Sequence, residues 1–267
     1  MTNIKTLKTT AKFFIATLIM FNAASALSAE RMRTQIAPSA HPLAKIIARV
    51  SPVGSTTIAG NGFVVGGNGC HVLTNFHVAF AKGLDAAGDI EWVTPIAPGH
   101  PVEIKVDLNA DGTHMRTLEG RVVEYLNYDT DDMFGRSNDL AMIKLDDCLG
   151  KEYGIARFEL PERTVHVPDT EISTLSLSSI SPEKSALYIE KDCVAGSRSP
   201  IAGLFVHSCI SISGMSGSPI FRNDTDGGFT IVGVTTGQIK PEGRPGLNYA
   251  IFSSIVTPFV RRVVGRN

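Results

Sequence analysis

The sequence predicts an all-β protein in two lobes, closed by a single C-terminal helix. Three observations carry this: short apolar runs recur along the chain, Gly, Pro, Asn or Asp bounds most of them, and no long helical period lies between them. With 267 residues, 43% of them hydrophobic and 19% charged, the chain has ample material for a full core and no low-complexity tract.

Residues 1–29 read as a secretory signal. Lys5, Lys8 and Lys12 come first without any acid, then the nine-residue apolar run 13–21, then the small residues Ala23, Ala24, Ala26 and Ala29. Cleavage after Ala26 fits better than cleavage after Ala29, which leaves Leu27 at a position that favours a small side chain. Nine apolar residues fall well short of the roughly 20 that span a bilayer, so no stable membrane span is expected once the signal is removed. Residues 30–45 read as a simple tail.

The first lobe, 46–150, opens with a β-hairpin over 60–78, with Asn68-Gly69 at its tip, and continues with strands at 102–108, 119–125 and 140–145. Gly150, Gly154, Pro161 and Pro168 mark a crossing segment over 151–171. The second lobe, 172–267, holds strands at 185–189, 204–209, 219–221, 229–235 and 247–252. It ends in a helix for which Thr257 supplies the cap and Pro258 the first position, ahead of Phe259, Val260, Val263 and Val264. No further domain is expected after that helix.

Lys and Arg number 25 against 26 Asp and Glu, a net charge of −1, so the basic excess that nucleic-acid binding needs is missing. Loss of residues 1–29 removes three lysines and no acid, which takes the net charge from −1 to −4. Export makes Cys70, Cys148, Cys193 and Cys209 read as two disulfides, not as a thiol or zinc site. Of the three connectivities, Cys70 with Cys148 and Cys193 with Cys209 is preferred, because each bridge then stays within one half of the chain.

Chemistry concentrates in three places. In Gly214-Met215-Ser216-Gly217-Ser218-Pro219, glycines flank a serine, which lets the backbone turn tightly and aim the Gly214 and Ser216 amides to one side as an oxyanion site. A hydroxyl is a weak nucleophile without a base and an orienting carboxylate. His77, at the end of the apolar Val-Leu-Thr-Asn-Phe strand, supplies the base, and Asp139, at the mouth of the strand Leu-Ala-Met-Ile-Lys-Leu, the carboxylate. Singly, the serine loop and the aspartate are what ordinary turns supply, and a lone histidine after a strand is usually a satisfied surface or core residue. Together, in the order His, Asp, Ser, they form a constellation.

These segments resemble the chymotrypsin-like, or trypsin-fold, serine proteases, in particular their bacterial secreted members. Thr-Asn-Phe-His77-Val looks like the family's Thr-Ala-Ala-His, Asp139-Leu-Ala-Met-Ile-Lys-Leu like its Asp-Ile-Ala-Leu, and Gly214-Met-Ser216-Gly-Ser-Pro like its Gly-Asp-Ser-Gly-Gly-Pro. Ile231-Val-Gly-Val-Thr-Thr-Gly237 resembles the substrate-binding strand, and Asn248-Tyr-Ala-Ile-Phe with the terminal helix the closing segment. The resemblance spans about residues 60–264. It implies two six-stranded antiparallel β-barrels with the site between them, and a serine endopeptidase acting through an acyl-enzyme. Ser216 attacks, His77 moves the proton, Asp139 holds the imidazole, and Thr235, Thr236 and Gly237 pair with the substrate backbone. A protein or peptide is the expected substrate, secreted or periplasmic the location, a monomer the working state, and neither metal nor cofactor is required. A catalytically silent relative that binds peptides in its cleft is the alternative.

Chain order tests the rival hydrolases. The last histidine, His207, precedes Ser216, which excludes the α/β-hydrolase order, and no Asp precedes His77, which excludes the subtilisin order. Three departures from patterns in the family matter. Met215 stands where relatives activated by a new N-terminal ammonium have an Asp, so activity without that switch is expected. Ile210, six residues before the nucleophile, stands where trypsin has an acid at the pocket floor. Thr235 stands where glutamate-specific relatives have a His, so a small or apolar side chain is the expected preference. The acidic stretches 129–132 and 223–228 fit turns better than a calcium loop, and Cys70, His71 and His77 match no zinc spacing.

Overall fold

The structure, a computed structural model, describes residues 33–55, 59–84, 90–126, 135–153, 158, 170–181, 184–198, 203–239 and 247–265. The signal segment 1–29, most of the crossing segment and the acidic stretch 129–132 lie outside the described residues. In chain order the elements are β1 (Arg33–Gln35), β2 (Ile47–Pro52), β3 (Gly60–Val65), β4 (His71–Thr74), helix α1 (Phe76–Phe80), β5 (Ala81–Leu84), β6 (Ile90–Trp92), β7 (Pro101–Leu108) and β8 (His114–Tyr125). After them come β9 (Ala141–Leu145), β10 (Thr170–Ser181), β11 (Lys184–Arg198), β12 (Leu204–His207), β13 (Pro219–Asn223), β14 (Phe229–Ile239), β15 (Leu247–Phe252) and helix α2 (Ser253–Val264).

Strands β2, β3, β4, β9, β8 and β7 pair in that order and close into a six-stranded antiparallel barrel. The side-chain period of 2 is plain in β7, where Val102, Ile104 and Val106 are buried while Glu103 and Lys105 face outward and pair at 3.2 Å. Strands β11, β10, β13, β14, β15 and β12 form the second ring, which closes when β12 returns to β11. Strand β11 is 15 residues long. On the edge away from β10 it holds β1 along Tyr188, Ile189 and Glu190, and β12 further on at Ala195 and Arg198.

One hydrophobic core runs through both barrels, from Phe63, Leu73, Ile104 and Met142 in the first to Leu175, Leu177, Ile189 and Val234 in the second. A smaller cluster of Ile172, Phe205, Ile220 and Ala250 surrounds the Cys193–Cys209 disulfide. Cys70 and Cys148 form the other bridge, so both pairings are those the sequence favours.

The structure revises several expectations. Residues 33–45 are not a free tail: β1 extends the second barrel, and a 3₁₀ turn at Pro42–Lys45 buries Leu43 completely. His77 lies one turn beyond its strand, in α1. Strand β10 goes unnoticed in the sequence because Ser173, Thr174, Ser176, Ser178 and Ser179 read as turn residues. Residues 172–177 are nevertheless all buried, since one face of β10 belongs to its own barrel and the other packs on β2 and β3. Helix α2 starts at Ser253, four residues before the expected cap, so Thr257 is a buried interior residue and Pro258 is also interior. Its buried face, Val256, Phe259, Val260 and Val263, follows the i, i+3, i+4, i+7 spacing. The stretch 223–228 is a hairpin turn, with Thr230 Oγ1 donating to Asp224 Oδ2 at 2.7 Å. Among the described residues no helix is long and apolar enough to cross a membrane.

Candidate active site

Helix α1 is held by aromatic packing. Phe76 stacks at 4.7 Å on Phe80, at 5.6 Å on Trp92 and at 5.3 Å on Tyr125, and so fixes the turn that carries His77. Asp139 follows a 3₁₀ turn at Gly135–Asn138 and leads into β9; only 1% of it is exposed. Its Oδ1 accepts the His77 backbone N–H at 3.0 Å, and its Oδ2 lies 2.8 Å from His77 Nδ1. A carboxylate can only accept in that contact, so the imidazole proton belongs on Nδ1 and Nε2 keeps its lone pair. Asn75 Nδ2 donates to the Asp139 carbonyl at 2.7 Å, which ties the residue to the strand end ahead of α1.

A third donor reaches the carboxylate: Thr236 Oγ1, at 2.6 Å from Oδ2. Thr236 is the extra residue of a bulge in β14, because Thr235 pairs with Ala250 and Gly237 with Tyr249. A bulge re-aims the side chain it inserts. The Thr236 carbonyl in turn accepts the Ser216 hydroxyl at 3.3 Å. Thr236 therefore bridges the serine to the aspartate, a role for its side chain that the strand pattern did not announce.

The serine sits in two successive turns. Met215 N–H donates to the Ile212 carbonyl at 3.1 Å and Ser218 N–H to the Met215 carbonyl at 3.1 Å, with Gly214 at φ +87° and Gly217 at φ +84°. Gly217 N–H donates to the Thr235 carbonyl at 2.8 Å and clips the loop to β14. The Gly214 and Ser216 N–H groups have no acceptor among the described residues. These are the two amides the sequence assigns to an oxyanion.

Ile210 is half-buried, and its N–H is shared by both carboxylate oxygens of Glu190, at 3.0 and 2.9 Å. Glu190 is buried behind it, and desolvation pushes its carboxyl above the usual range. The Cys209 carbonyl accepts from Asn248 Nδ2 at 2.7 Å, which fixes the residue before Ile210 from the β15 side. Glu190 is signalled by no local motif, and the closing-segment motif that Asn248 opens assigns it no role beside Ile210; the pairing of β11, β12 and β15 brings both here. Glu190, Cys193 and Cys209 also form the one group of possible metal-ligating side chains among the described residues, but both sulfurs are in a disulfide and cannot act as thiolates. Of the residues expected to pair with substrate, Thr235 is buried, while Thr236 and Gly237 are partly accessible on β14.

Residues 60–234 match the model of the trypsin-like peptidase domain family. Among solved structures, the chain is similar to a Glu endopeptidase in complex with MPD, at 18% identity and a TM-score of 0.60, over 88% of this chain and 97% of that one. It is also similar to the MamO protease domain from Magnetospirillum magneticum in its apo form, at 14% identity and a TM-score of 0.55, over 82% of this chain and 97% of that one. Comparison with curated protein sequences gives no match. With most of its length under the family model and its two barrels superposing on these folds, the chain belongs to the trypsin-like peptidase domain family and has the chymotrypsin-like serine protease fold.

Proposed function

We propose that the protein is an exported serine endopeptidase that hydrolyses peptide bonds through an acyl-enzyme on Ser216. The observation that carries the reading is the Asp139 carboxylate on His77 Nδ1, on the loop-facing side of β14 where Thr236 also holds the Ser216 hydroxyl. His77, with its proton on Nδ1, takes the Ser216 proton at Nε2 as the hydroxyl attacks the scissile carbonyl. Asp139 stabilises the imidazolium that results, and its three hydrogen bonds keep it oriented. The Gly214 and Ser216 N–H groups receive the oxyanion, at about 3 kcal/mol of transition-state stabilisation for each donor. His77 then returns the proton to the leaving amine, and water repeats the sequence on the ester.

The substrate strand adds to β14 at Thr236 and Gly237, with main-chain hydrogen bonds supplying affinity. Ile210 gives its first side-chain subsite an apolar floor with no charged partner for Lys or Arg, so a small or apolar residue precedes the cut. Two disulfides suit the periplasm or the extracellular space.

Hydrolysis of fluorescein-labelled casein tests the reading. Wild type releases peptides and Ser216→Ala is slower by about 10⁴-fold or more. Equal rates in the two proteins, or a wild type that binds the casein without cutting it, contradict it; the second result marks a peptide-binding relative.

A further inference from the structure

Asn61 is fully buried on β3, in the first barrel, yet the hydrogen bonds of its side chain lead to the second. Its Oδ1 accepts Leu177 N–H of β10 at 2.7 Å, and its Nδ2 donates to the Leu177 carbonyl at 3.1 Å. The remaining Nδ2 proton goes to the Gly214 carbonyl at 2.6 Å. Its backbone N–H donates to the Ser216 carbonyl at 2.7 Å, and its own carbonyl accepts Thr74 Oγ1 at 2.6 Å. A side chain at Gly217 would overlap that carbonyl, so the loop lies directly on Asn61.

The peptide planes of the loop show what these contacts do. The plane between Gly214 and Met215 is pinned at one end by Asn61 Nδ2 and at the other by the Ile212 carbonyl. The plane between Ser216 and Gly217 is pinned by Asn61 N–H and by the Thr235 carbonyl. The planes that alternate with these two carry the Gly214 and Ser216 N–H groups. Gly214, at φ +87°, has no side chain to hold its conformation, so the hold comes from the carbonyl that Asn61 grips.

We propose that Asn61 is the positioning residue of the oxyanion site: its carboxamide clamps β10 and the Gly214 carbonyl together, so that the Gly214 and Ser216 amides converge only when the two barrels are docked. The inference rests on the reading of Ser216 as nucleophile. The residue type is specific. Aspartate lacks the donor, serine and threonine are too short to reach both Leu177 and Gly214, and glutamine is one methylene too long for a filled site.

The test is the rate at which a fluorophosphonate labels wild type, Asn61→Ser and Asn61→Asp, with thermal melts and intact mass confirming fold and both disulfides. The expected result is labelling slower by about 10- to 100-fold in each folded variant, the loss that a small misplacement of reacting groups produces. In Asn61→Ser, hydrogen exchange should rise in a peptide spanning 213–218 and at Leu177, whose N–H loses its acceptor, and stay unchanged elsewhere, which a general loss of stability would not produce. Variants that label within twofold of a labelled wild type overturn the role of Asn61 and leave Ser216 as nucleophile. A folded wild type that takes no label overturns the reading of Ser216 and, with it, this inference. If neither variant folds, the wild type decides the matter by NMR. Two separate, slowly exchanging Asn61 Nδ2 proton signals that shift on phosphonylation support the clamp, and signals that exchange freely with solvent and do not move overturn it.

Discussion

Thr236 carries two loads at once: its hydroxyl is a donor to Asp139, and its carbonyl accepts from Ser216. Removing the hydroxyl while keeping the shape separates the two. In Thr236→Val, Asp139 loses one of three donors, and the fluorophosphonate labelling rate should fall by about 10- to 150-fold, the worth of one hydrogen bond to a charged group. Thr236→Ser should restore most of it, and an unchanged rate in the valine variant would show that the hydroxyl contributes nothing. At this scale the sequence is legible where function needs a rare residue in a fixed order, as with His77, Asp139 and Ser216. It is illegible where the residue type is common. Nothing local separates Thr236 from Thr235, and only the bulge decides which of them reaches the carboxylate. Asn61 reads as part of a glycine-rich hairpin until its partners 116 and 153 positions away are known.

At the scale of elements, the period-2 pattern finds β7, whose outer face meets solvent, and the turn residues at 66–69 find β3 and β4, which are buried throughout; β10 offers neither signal. Strand β7 alternates cleanly and is seen; β10, buried on both faces between the barrels, is given no strand in the reading of the second lobe. Proline is the other source of error. Its preference for the first helical turn places the start of α2 at Pro258, whereas the apolar period reaches back to Val256 and sets the start at Ser253. Pro258 is exposed and interior, so it costs the helix a backbone hydrogen bond and gains no packing in return. Pro258→Ala should therefore stabilise the protein by about 1–2 kcal/mol, the lost bond and clash offset in part by greater freedom of the unfolded chain. A lower midpoint in urea unfolding would contradict the account of this helix.

The whole molecule is two barrels sharing one core, and its response to acid follows from what that core encloses. His207 is fully buried in β12, and desolvation pulls its imidazole down to about 4 from the ordinary 6.5. His41, His71 and His100 are lowered for the same leading reason. The unfolded chain thus takes up protons near pH 6.5 that the folded chain refuses until about pH 4 at His207. Stability is fully present above pH 6.5 and is lost as the pH falls toward 4, by about 3 kcal/mol from His207 alone. Glu190 acts in the opposite sense: its raised carboxyl favours the neutral folded form, so its contribution fades as the pH rises above the ordinary 4.5. Urea unfolding at pH 7.5 and 5 should show the loss, and His207→Gln should flatten it; a pH-independent midpoint in wild type would contradict this. Because the core crosses from one barrel to the other, the barrels should unfold in one transition.

The most direct test of the account is intact-mass labelling of the folded, disulfide-bonded protein with a fluorophosphonate, run beside Ser216→Ala and His77→Ala. A single adduct on wild type that is absent from both variants is the predicted result. No adduct on folded wild type, or an adduct that persists in Ser216→Ala, would contradict the assignment of Ser216 as a nucleophile activated by His77 and Asp139.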